Sequence, residues 1–229
     1  MFLILFFIAI IPVFVLAMYI YVRDREKESF CLLLKLFLFG IFACLPSFVL
    51  SDFISGYFPE LNNMNLMQLF FYVFIAIALV EEFCKWFLVY RITYNHNEFD
   101  TVYDMIVYSS FIALGFACLE NILYVESLGL MVGFARALYA VPGHLCDGIL
   151  MGFYLGFSKL NNIRGNKMIS KKYKILSILI PVITHSIYDF CIFAESDVFF
   201  LIFSIFIVIL YVICFKKVKE YSKNDIKIL

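Results

Sequence analysis

Glu81, Glu82 and Lys85 stand inside an otherwise apolar run from Leu66 to Tyr90. A charge at bilayer depth costs roughly 2.5–3.5 kcal/mol even on insertion scales, so three together demand a reason. On a helix, Glu81 and Lys85 are four residues apart and share a face, where they partly neutralise each other. Glu82 projects about a third of a turn away. An ion pair joining helices needs only one glutamate. The second calls for a partner or a reaction.

Further polar groups recur in later apolar stretches. Phe116, Glu120 and Tyr124 are spaced by four and share a face, with Asn121 beside them. Arg136 precedes Pro142-Gly143-His144, and Gly148, Gly152 and Gly156 continue the His144 stripe at intervals of four. Small residues at that spacing let another helix approach closely. His185 and Asp189 are again four apart. Each group has a structural reading: a histidine bonding between helices, an aspartate orienting it, a packing stripe, and Arg136 paired with Glu120 or Glu126. His96, between asparagines in a polar turn, reads as a solvated surface residue. Together, however, these groups come from four segments at membrane depth, where such residues face the interior or a water-filled cavity. A carboxylate and a histidine around a water supply a general base and an acid or oxyanion partner, the parts of a hydrolase. Histidines and carboxylates equally suit zinc with one position left to water, the candidates being His144, His185 and Glu120. No H-E-x-x-H motif accompanies them, so no cofactor is favoured and Zn2+ stays open.

The elements that carry these residues are membrane helices. The chain is 64% hydrophobic with 29 Phe and zero net charge, which excludes an ordinary soluble domain and a nucleic-acid partner. Its mean hydropathy is +0.96. Seven scattered cysteines without a CxxC pair read as small buried hydrophobes. Apolar segments fall at 2–22, 31–50, 66–90, 102–124, 128–157, 175–194 and 198–215. The first lacks a basic n-region and an A-x-A site and reads as a span. Within 128–157, Pro142-Gly143 predicts a helix break, leaving an irregular or interfacial 128–143 that would form an outward mouth. The loops 23–30, 91–101 and 159–174 and the tail hold 3, 1, 6 and 5 Lys or Arg, whereas 51–65, 125–127 and 195–197 hold none. The expectation is an all-α polytopic integral membrane protein of about seven transmembrane helices, N-terminus outside and C-terminus inside. It is read as a single membrane domain over 1–229, with a core at about 66–194 and peripheral helices at 2–22, 31–50 and 198–215.

Four motifs in order now carry a resemblance: Glu-Glu-x-x-Lys (81–85), Phe-x-x-x-Glu-Asn-x-x-Tyr (116–124), Arg-x-x-x-x-x-Pro-Gly-His (136–144) and His-x-x-Tyr-Asp (185–189). This order resembles the PrsW family of bacterial intramembrane proteases, which is distantly similar to the CAAX prenyl endopeptidases. The resemblance implies a multi-pass protease of the bacterial plasma membrane. Its partners would be the lipid bilayer and a single-pass membrane substrate of anti-sigma-factor type, cut at site 1 to release a sigma factor in an envelope-stress response. By the same resemblance Glu81 activates water, with Glu82 as second carboxylate, and a metal-free, glutamate-type peptidase is expected over a metallopeptidase. His185 with Asp189 would stabilise the oxyanion or complete a metal site. His144 and Glu120 would line the same cavity, supported by Lys85, Asn121 and Arg136. The rival class is a non-enzymatic or proton-coupled carrier or receptor; a carrier would show paired repeats with broken helices in both halves, and one break is visible.

Overall fold

The computed structural model describes residues 2–228, all helix and turn but for one antiparallel bridge pairing Thr101 with Lys227. The helices are α1 (Phe2–Arg23), α2 (Phe30–Ser55), α3 (Leu66–Tyr72), α4 (Leu79–Thr93), α5 (Val102–Leu128), α6 (Leu130–Leu138), α7 (Ala140–Ile163), α8 (Lys167–Phe193) and α9 (Asp197–Tyr221). A π-helical turn, Val73–Ala78, joins α3 to α4, so the two run on as one span, Leu66–Thr93. Six long segments are apolar enough to cross a membrane: α1, α2, Leu66–Thr93, α5, α8 and α9. At ~1.5 Å per residue α7 is also long enough. It carries His144, Asp147, Ser158 and Lys159, which it turns mostly inward among its neighbours. The outside of the bundle exposes Phe14, Phe42, Val49, Phe83, Phe87, Leu201 and Val212, the surface that a bilayer covers.

Capping residues start the helices where the sequence changes character. Ser29 accepts from Leu32 N at the head of α2, and Asn65 with Gln68 forms a reciprocal capping box at the head of α3. Thr101 and Asp104 make another at the head of α5, where Asp104 Oδ2 accepts from Thr101 N at 2.7 Å. Helix α5 is apolar on all sides and almost wholly buried, as a central helix must be. Helix α7 lies along it through the glycine stripe. A Cβ on Gly152 would meet the backbone of Met105 and Ile106, so this contact admits no side chain.

Two expectations about boundaries need correction. The chain breaks at Tyr139, not at Pro142-Gly143, and 130–138 is helical rather than irregular. Pro142 sits in the first turn of α7, where its missing N–H has no partner to lose. Gly129, at φ 86°, makes the bend before α6. The basic stretch 159–174 is also mostly helix, since α7 runs on to Ile163 and α8 begins at Lys167. Hydropathy marks the hydrocarbon slab, while the helices continue past it with lysines reaching for water.

The loops rich in Lys and Arg gather at one end. Ser29 N donates to Glu98 at 3.2 Å, Lys159 to Asn95 at 3.0 Å, and Ile228 N to the Asp100 carbonyl at 2.7 Å. Glu28, in the α1–α2 turn at 7% exposure, accepts the Tyr108 hydroxyl at 2.6 Å. Burial pushes its carboxyl up from 4.5 to about 9, and nearby Asp104, Asp24 and Glu98 push the same way. The folded state therefore favours protonated Glu28, a stabilisation complete below about pH 4.5 and lost as pH rises toward about 9. Glu28→Gln keeps an acceptor for Tyr108 and is expected to flatten that decline and raise the melting temperature at pH 9. An unchanged pH slope in detergent melts would contradict this account.

Candidate functional site

The π-turn Val73–Ala78 ends just before the two glutamates, and Leu79 N donates to the Phe74 carbonyl across the wide turn. Insertions of this kind re-aim the side chains that follow and cluster at functional sites. Here they turn Glu81, Glu82 and Lys85 inward together: exposure is 5%, 0% and 1%. The Lys85 ammonium lies 2.7 Å from Glu82 Oε1, 3.0 Å from His144 Nδ1 and 3.6 Å from Glu81 Oε2. It also stands over the Phe116 ring at 4.1 Å. The expected face pairing of Glu81 with Lys85 is thus the looser contact. Glu82, three residues away on the helix, holds the lysine more closely.

His144, at the start of the second turn of α7, bridges two charges. Its Nε2 is 2.7 Å from Glu120 Oε2, and its Nδ1 faces Lys85. An ammonium only donates and a carboxylate only accepts, so the ring is the Nε2–H tautomer with both nitrogens engaged. Glu120 also accepts from Arg136 at 2.7 Å, so Arg136 pairs with Glu120 rather than Glu126. Arg136 Nε donates to Asn121 Oδ1 at 2.9 Å, and Asn121 Nδ2 donates to the Ala9 carbonyl of α1 at 2.8 Å. His185, from α8, donates through Nδ1 to Glu82 Oε1 at 2.8 Å. Its Nε2 points to Asp189 Oδ2 at 3.3 Å and Glu81 Oε2 at 4.0 Å. The two imidazole rings stand 5.3 Å apart.

All six proposed reacting residues and their three supporters therefore join one network drawn from α4, α5, α6, α7 and α8. His96 lies outside it, in the α4–α5 loop. A cavity of about 60 Å³ opens at the centre, walled by Glu81, Glu120, His144, His185 and Asp189. That is room for a few waters at on the order of 10–15 Å³ each. Asp147 is a wall residue that the sequence reading passed over. It is 4% exposed and accepts the Thr184 hydroxyl at 2.6 Å. The signal was available: His144 and Asp147 are three apart on a helix, and an aspartate at membrane depth is as costly as Asp189.

The chain matches the model of the PrsW family intramembrane metalloprotease over residues 28–215. The chain belongs to that family. Protease PrsW of Oceanobacillus iheyensis is 38% identical over 217 residues, 95% of each chain. The Protease PrsW of Geobacillus kaustophilus is 36% identical over 81% of this chain and 78% of its own, and that of Clostridioides difficile 31% identical over 98% and 94%. No solved structure matches. The PrsW-family chain is thus an intramembrane protease, a multi-pass protein of the bacterial plasma membrane.

The family description raises the question of a metal. Two sets of donor atoms lie within 4.8 Å of one another: Glu82, His144, Asp147 and His185, and Glu81, Glu120 and His144. His144, His185 and Glu120, the trio expected from sequence, do not form one set. The first set already encloses the Lys85 ammonium, in contact with Glu82 and His144. In the second, Arg136 and His144 both occupy Glu120 Oε2. A divalent ion in either set must displace a buried cation or face it at close range, so these residues as arranged do not fit one. Lys85→Met leaves Glu82 and Glu81 without their ammonium, and its expected result is a protein that accumulates poorly as well as failing to cleave. Breaking such a pair typically costs about 3–5 kcal/mol. Normal membrane yield and melting temperature would contradict that structural role.

Proposed function

We propose that the protein is a glutamate-type intramembrane endopeptidase in which Glu81 activates water. One observation carries this choice between the two glutamates. Glu81 and Glu82 each bury an Oε2 with no hydrogen-bond partner among the described residues, but only Glu81 walls the cavity. Glu82 does not reach that wall; its Oε1 is held by Lys85 and His185. A water beside Glu81 loses a proton to Oε2 as its oxygen attacks the scissile carbonyl. His185, oriented by Glu82 and Asp189, presents Nε2 near the same point and stabilises the oxyanion. Arg136, Glu120 and His144 also line the cavity, and their mutual bonds fix its shape.

The reading extends to topology and substrate. The Lys- and Arg-rich end faces the cytoplasm by the positive-inside rule, which places the N-terminus outside and the C-terminus inside a single membrane domain. Glu120 lies eight residues from the end of α5, His185 eight from the end of α8, and His144 four from the start of α7. The site then sits in the outer half, and a groove of about 580 Å³ leads from Arg136, Tyr188 and Asp189 out to Glu195 and Asp197. The substrate is a single-pass membrane protein of anti-sigma-factor type, cut at or just inside the outer surface. Its loss would release a sigma factor for a stress response.

The family description carries a second reading, a metallopeptidase, and one assay separates the two. The protein is co-expressed with a tagged single-pass anti-sigma factor, and the cut bond is mapped by mass spectrometry. Glu81→Gln is expected to lower cleavage at least ~100-fold with unchanged membrane yield. With purified protein, a strong chelator is expected to leave cleavage intact. Inhibition reversed by zinc would establish the metal reading instead. A new terminus on the cytoplasmic side would refute the placement of the cut.

A further inference from the structure

Peptide hydrolysis needs a proton for the leaving amine as well as a base for the water. Most polar groups around the cavity are already committed. Both nitrogens of His144 are engaged, Glu120 serves Arg136 and His144, and His185 lies between carboxylates. Asp147 differs. Among the described carboxylates of the cavity wall, Glu81, Glu120 and Asp189 each have a cationic or histidine nitrogen within 4.0 Å, and Asp147 has none. An ionised carboxylate at such depth without a partner is costly, whereas a carboxylic acid there needs only a hydrogen bond. Thr184 supplies that bond to Oδ1 at 2.6 Å, which leaves Oδ2 to carry the hydrogen.

We propose that Asp147 is the general acid of the reaction, delivering its proton to the amine nitrogen that leaves. The inference rests on the reading that Glu81 activates water. In the first step the water oxygen bonds to the carbonyl carbon, its proton passes to Glu81 Oε2, and the carbonyl electron pair moves onto oxygen. In the second the carbon–oxygen double bond re-forms, the carbon–nitrogen bond breaks, and nitrogen takes the Asp147 Oδ2 proton. Products are one carboxylic acid and one amine. The proton held by Glu81 then returns to Asp147 through cavity water, restoring the start.

The test uses two quenched fluorescent peptides built on the cut site mapped above, identical except that one replaces the scissile amide by an ester. An alkoxide leaves far more readily than an amide nitrogen and depends less on an acid. Asp147→Asn is expected to slow the amide peptide at least ~100-fold and the ester less than ~10-fold. Glu81→Gln is expected to slow both alike, because both need the attack step. Equal losses on the two peptides in Asp147→Asn, or no loss, would overturn the assignment while leaving Glu81 in place. Retained activity in Glu81→Gln would instead overturn the reading beneath it. Should Asp147→Asn not fold, Thr184→Val keeps the carboxyl and removes its positioning bond. A smaller loss confined to the amide supports the proposal, and an equal loss on both refutes it.

Discussion

The site depends on one buried ammonium. Lys85 at 1% exposure is tolerable in hydrocarbon only because Glu82 Oε1 and His144 Nδ1 accept two of its hydrogens and the Glu81 carboxylate stands 3.6 Å away as a second counter-charge. Those acceptors come from two helices, and the Phe116 ring of α5 closes the fourth side. Satisfying one charge thus fastens α4, α5 and α7 at a single depth, and Glu82 passes the constraint to α8 through His185. The need for two adjacent glutamates follows. Glu82 neutralises the lysine and orients a histidine, and this frees Glu81 to turn an unbonded oxygen toward the cavity.

That arrangement needs helices at unusually short range. The glycine stripe of α7 removes the side chains that would hold it away from α5, and His144 can then touch Glu120 across the interface. Gly40 on α2 and Gly115 on α5 do the same on the other flank. Asn121 binds the Ala9 carbonyl and so ties the site to α1 as well. The result is a group of proposed reacting residues on rigid helices, each held by a neighbouring side chain, as catalysis by positioning requires.

Much of this was legible from residue types alone. A charge inside an apolar run is so costly that Glu81, Glu82, Lys85, Glu120, His144, His185 and Asp189 announce themselves, and mutual need brings them together. Asp147 obeyed the same rule but stood in a run of glycines that reads as packing. The partner chosen by Lys85 was not legible, because a π-turn upstream shifts which side chains face inward and leaves no mark in composition. The break at Tyr139 was misplaced for a related reason. Proline stops a helix from its interior but is harmless in the first turn, and which turn comes first is decided by packing.

The two halves of the bundle are built for opposite tasks. Toward the Lys- and Arg-rich end the core is closed by large side chains, with Tyr103, Met105, Ile106 and Tyr108 all at 0% exposure. Even the polar groups there serve as fasteners: Tyr108 to Glu28, Tyr103 to the Ile20 carbonyl, and Tyr94 to Ser158. Toward the other end Glu81, Glu120, His144, His185 and Asp189 surround a space for water, and Arg136, Tyr188 and Asp189 line a broad groove beside it. Irregular or hydrated structure at membrane depth is stable only where protein encloses it. A tight half joined to an open one satisfies that rule and keeps the space for water on the side of the groove.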